Sequence, residues 1–141
     1  MKLRWMDSMS VGVTEFDNDH KQMLRLMKEI AADLRRGKEE PARDRIIDLQ
    51  ALTQGHIVRE RAFLQRVGFP QLEAAIAAQE ELLAHIAILK VVARKDARAM
   101  ISAMEDAFVT YLLRGDLNYK SFVEFAGLSD VVPVGAGCGN P

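Results

Sequence analysis

Cysteine is almost missing from this chain: Cys138 stands alone among 141 residues. No disulfide can form within one copy, so the fold rests on its core, and the expected setting is the reducing cytoplasm. Charge of one sign is also missing, the formal net charge being −1. Lys and Arg are spread along the chain rather than clustered among aromatics, which speaks against a nucleic-acid surface. No apolar run approaches the ~20 residues of a membrane span. The opening "MKLRWMDSMS" has a basic start but no apolar stretch behind it, so it does not read as a secretory signal. No repeat or low-complexity region is present, and strand-like alternation is confined to "SVGVTEF".

What remains is helical periodicity. Hydrophobic residues are 49% and charged residues 28%, enough for one domain with a substantial core. "DNDHKQMLRLMKEIAADLRRG" puts His20, Leu24, Met27, Ala31 and Leu34 on one face, with Asp17 or Asn18 to cap its start and Gly37 to end it. A second helix is expected from about Pro41 to Gly68, with the stripe Leu49, Leu52, His56, Glu60, Phe63, Val67. A third runs from Pro70 to about Val92, with Leu72, Ala75, Gln79, Leu82, Ile86 and Leu89 inward. A fourth starts near Asp96 and carries Met100, Met104, Phe108, Tyr111 and Asp116. Short connections favour antiparallel neighbours, so the expected fold is all-α: an up-down-up-down four-helix bundle with an N-terminal arm. The bundle is expected over residues 1–126, and the Gly/Pro-rich residues 127–141 as a flexible tail.

The inward stripes hold residues that a bundle core does not want. Burying a carboxylate costs several kcal/mol unless something compensates it. Yet His20, His56, Glu60 and Asp116 lie on or beside the stripes of three helices. Two imidazoles and two carboxylates suit iron, manganese or zinc. The H-x-x-x-E spacing places His56 and Glu60 on one face, within reach of one ion. Against this, a single buried histidine is more often a hydrogen-bonded core residue, and an i, i+4 His–Glu pair is often a surface contact. His85, beside Glu81, falls off the third helix's stripe and reads as a surface residue. Met23, Met27, Met100 and Met104 read as core filler. Cys138 has no visible partner.

The pattern "W…SVGVTEFDNDHK", then "HIVRE…GFP", then "DLNYKSF" resembles the hemerythrin family, specifically its single-domain bacterial members, from about Trp5 to Phe122. The resemblance implies a four-helix bundle with a non-haem iron site, and maps family ligands onto His20, His56, Glu60 and Asp116. It also implies losses. The family's two third-helix histidines fall on Ala75 and Gln79, and its fourth-helix histidine falls on Tyr111. One iron's set survives with both bridging carboxylates, while the other iron loses every imidazole. Reversible oxygen carriage in the family uses two irons that each supply one electron, so one iron here implies that ordinary carriage is lost or altered.

Tyr111 is open to two readings. Its phenolate can bind a metal, favouring ferric iron, or its ring can fill the volume of the missing ion. Gln79 can offer a carbonyl oxygen or hydrogen-bond a metal-bound water. The expectation is one iron per chain, used to bind or sense O2, NO or redox state. The alternatives are a metal-free module for an unknown protein partner, in which the polar residues pair among themselves, and, ranked below it, an oxidase or peroxidase with a mixed two-metal site. No nucleophile, substrate pocket or organic cofactor motif is readable.

Overall fold

A computed structural model describes residues 2–92 and 96–127. Among these the regular structure is entirely helical. A short 3-10 turn, Asp7–Met9, precedes helices α1 (Thr14–Arg35), α2 (Glu39–Arg66), α3 (Leu72–Val92) and α4 (Ala97–Tyr111). A π-helical turn, Leu112–Asp116, then leads directly into α5 (Leu117–Phe125). Helix α1 packs on α2, α2 on α3, α3 on α4, and α4 back on α1. The arrangement is bundle-like, with each helix turning its apolar stripe inward. The expected tail beyond Gly127, with Cys138, lies outside the described residues.

Most of the expected inward residues are buried, and the helix ends fall within a few residues of their expected places. Gly37 and Gly68 follow α1 and α2 with φ of 71° and 70°, a conformation that costs glycine nothing. Asp96 caps α4, its side chain accepting from the Arg98 and Ala99 amides at 3.1 and 3.2 Å. The start of α1 is corrected. The helix begins at Thr14 after Val13, so neither Asp17 nor Asn18 is its cap. The Asp17 carboxylate instead holds the preceding segment, accepting from Ser10 Oγ at 2.6 Å and the Val11 amide at 2.9 Å. That tether seats Val11 and Val13 in the core, both essentially without exposure.

The core has two parts. A larger cluster includes Met23, Met27, Ile46, Leu82, Met104, Phe108 and Tyr111. A smaller one gathers Phe16, Phe63, Leu64, Phe69, Tyr119 and Val123. Between them lies a band of buried polar side chains, where His56 meets Phe16 edge-on on one side and Tyr111 on the other.

Candidate metal centre

His20 on α1, His56 and Glu60 on α2, and Asp116 at the end of the π turn are all fully buried. Each offers one ligand atom, and these atoms lie within 4.8 Å of one another. The expected site residues therefore do converge. His20 Nε2 is 3.2 Å from His56 Nε2 and 2.5 Å from Asp116 Oδ2. His56 Nε2 is 3.1 Å from Glu60 Oε2 and 3.6 Å from Asp116 Oδ2.

The π turn is what makes this possible. Residues five apart on a regular α-helix point about 140° away from each other. Bonding i to i+5 widens the turn, and both Tyr111 and Asp116 face the same interior. Gly115 lets this wider turn approach α3: a Cβ there would stand 3.3 Å from the Ala78 Cβ and 3.6 Å from the Tyr111 ring.

The surrounding residues are unevenly supplied with hydrogen bonds. Glu60 is well held. Its Oε1 accepts from Gln79 Nε2 at 2.7 Å and Tyr111 OH at 2.9 Å, and its Oε2 accepts from Tyr119 OH at 2.9 Å. Gln79 is fixed in turn, its Oε1 accepting from Arg61 Nε at 3.0 Å. His56 is oriented from behind. Its Nδ1 is 2.9 Å from Asp19 Oδ2, and Asp19 is anchored by Arg59 Nη2 at 2.9 Å. With Nδ1–H donating to Asp19, a neutral His56 turns its Nε2 lone pair into the cluster, the carboxylate–histidine arrangement typical of metal sites.

Asp116 and His20 are the opposite case. Among the described residues, the buried side-chain atoms with no hydrogen-bond partner are Asp116 Oδ1, Asp116 Oδ2 and His20 Nδ1. The short Asp116–His20 contact is close in distance but off the line of a hydrogen bond. Oδ2 keeps only charge contacts, with His20 and His56, and Oδ1 has no donor at all, which is costly in a dry interior. A cation between Asp116 and the two imidazoles answers that cost, so this donor set fits a metal ion. His20 lacks the backing acceptor that His56 has.

In the metal-free protein the surrounding charges favour a protonated His56, a proton that a bound metal would displace. Burial works against a charged His56, but Glu60, Asp116 and Asp19 outweigh it and hold the imidazole's pKa well above its ordinary value. Burial raises Glu60, and the charge of Asp116 raises it further. Burial also opposes ionisation of Asp116, yet His20 and His56 pull it below the ordinary carboxylate range. Burial followed by the charges of Asp116 and Glu60 pushes both Tyr111 and Tyr119 well above the ordinary phenol value. In the metal-free protein Tyr111 is therefore a neutral donor, bonded to Glu60 and 3.0 Å from His56 Nε2.

Ala75 is buried near Tyr119 in the smaller core cluster and offers no ligand. His85 is exposed, with Nδ1 2.8 Å from the Glu81 carbonyl oxygen. Sequence reasoning missed Asp19 and Tyr119 as parts of the site. The signal for Asp19 was its place immediately before His20, which argues for a different face. Only the partner helix shows that it reaches His56.

No family model matches the chain, and neither a curated protein nor a solved structure matches it. Among the described residues no helix is long and apolar enough to cross a membrane.

Proposed function

We propose that this protein is a hemerythrin-like, non-haem metal-binding protein with a single iron site at His20, His56, Glu60 and Asp116. Its role is to bind or sense a small ligand such as O2 or NO, or redox state, rather than to carry oxygen in the ordinary way. The observation that carries the reading is that every buried side-chain atom without a hydrogen bond among the described residues belongs to this one ligand cluster. In this reading the helices run up-down-up-down, and the residues before Thr14 form an arm across them.

A bound iron would supply Lewis acidity and one-electron redox chemistry. The chain's own residues do the rest. Asp19 keeps the His56 lone pair turned inward. Tyr111, Tyr119 and Gln79 donate to Glu60 and fix which oxygen faces the cluster. Those donors also occupy the region where a second ion would need ligands, which supports one metal over two. Phe16, Phe63, Phe108 and Met23 exclude water.

The metal-free module has two observations in its favour: Glu60 is already satisfied by neutral donors, and the carboxylates around His56 favour its protonated form, which pairs with them without a metal. The two readings are separated by metal content after loading with ferrous iron without oxygen. His56→Ala and Glu60→Ala should both lose the metal that the parent protein holds. Equal metal content in both variants would sink the assignment. A visible band lost in Tyr111→Phe would make Tyr111 a ligand, whereas an unchanged spectrum leaves it as the donor to Glu60.

A further inference from the structure

One helical turn from the cluster lies an apolar cavity of about 70 Å³ whose outer edge reaches solvent at His85, Ile88 and Ala103. Its inner wall is Met23, Met27, Thr53, Leu82, Met104 and Phe108. Met23 follows His20 by three residues, Thr53 precedes His56 by three, and the Phe108 ring stands edge-on to His20 at 6.2 Å between centroids. The cavity thus borders the cluster through side chains from three helices.

Its lining offers almost nothing to a polar guest. The Thr53 hydroxyl is turned away, donating to the Leu49 carbonyl at 2.7 Å. His85, at the outer edge, has its Nδ1 against the Glu81 carbonyl oxygen. The remaining walls are carbon and sulfur. Water needs two to four polar partners to be held in such a place, and ions need more. Size narrows the guest further, since sites for drug-sized organic molecules are ~300–1,000 Å³.

The way in is also visible. A groove of about 290 Å³ between α3 and α4 shares Leu82, His85, Ala103 and Ala107 with the cavity. Its rim is polar, with Arg114 Nη1 and Glu81 Oε2 paired at 3.2 Å. Ala103 and Ala107 have small side chains where larger ones would close the passage.

We propose that this cavity is a binding site for a small, uncharged, apolar molecule of the size of xenon or a diatomic gas, entered from the α3–α4 groove and separated from His20 by Met23 and Phe108. The route to the cluster rests on the reading of that cluster as a metal centre, but the binding site does not.

Xenon is the probe, followed by NMR on the full chain with and without metal. Saturable shifts at Met23, Met27, Leu82 and Met104 methyl groups are expected in both forms. They should disappear in Ala107→Phe and in Ala103→Leu, each checked for an unchanged fold by its helical signal and thermal transition. Two variants are used so that misfolding of one leaves the other to decide. Absence of saturable shifts in the parent protein, or their persistence in a folded plugged variant, would overturn the site. In iron-loaded protein the plugged variants should bind NO several-fold more slowly with metal content unchanged. An unchanged NO rate alongside lost xenon binding would overturn the route while leaving the metal reading intact.

Discussion

Asp19 allows the metal reading to be tested without touching a proposed ligand. Its Oδ2 faces His56 Nδ1 at 2.9 Å and Arg59 Nη2 at the same distance. Replacing it with alanine removes the acceptor that orients His56, while all four proposed ligands remain. Loss of such a backing group ordinarily weakens metal binding about 10–100-fold, or roughly 1.4–2.7 kcal/mol at 1.36 kcal/mol per tenfold change. A charged hydrogen bond of this kind is also worth ~1.5–3 kcal/mol to the fold, so a general loss of stability must be separated from a loss at the site. Asp33 provides the control. It is a buried carboxylate about four turns further along the same helix, and it pairs with Arg45 well away from the cluster. Asp33→Ala should lower the denaturant midpoint yet leave metal affinity within about threefold, the effect of a distant independent site. The assay is competition against a chelator of known affinity, with the unfolding midpoint of the metal-free protein measured alongside. If Asp19→Ala binds metal as tightly as the parent, or if both variants weaken it equally, the reasoning about His56 orientation is wrong.

Other outcomes follow from the fold. Asp96→Ala should cost about 1 kcal/mol by denaturant unfolding, because it strips the cap that accepts two amides at the start of α4. Phe63→Ala should cost ~3–5 kcal/mol, since its ring is fully buried against Phe16. Gly55→Ala should stabilise the chain by roughly 0.5–1 kcal/mol, because a Cβ in the middle of α2 would meet nothing there. Gly115→Ala should yield no such gain, its Cβ being pressed against Ala78, and equal gains in calorimetry at both positions would refute the close approach of the π turn.

The helices were legible because each carries a sustained apolar stripe, and that stripe also exposed His20, His56, Glu60 and Asp116 as residues in the wrong chemical company. Asp116 was the least secure of the four on the stripe, because an ideal α-helical wheel turns it away from Tyr111, and the motif "DLNYKSF" supported it. The π turn that reunites them depends on Gly115 meeting Ala78 of another helix, a contact that no local pattern encodes. The start of α1 was misplaced because Asp17 looks like a cap, whereas its carboxylate is taken by Ser10 and Val11 from the preceding segment. Asp19 and Tyr119 were missed for a related reason: their roles lie across helices, at His56 and Glu60, and their spacing from the other ligands is not distinctive.

The central claim is that the buried cluster holds one metal ion. Elemental analysis per chain tests it most directly, on protein purified without an affinity metal and reloaded with ferrous iron under reducing conditions. The account predicts about one iron per chain, lost on treatment with a strong chelator together with a fall in melting temperature, since an ion bound only to the folded state stabilises it. No bound metal after reloading, with a melting temperature that ignores both iron and chelator, would contradict it.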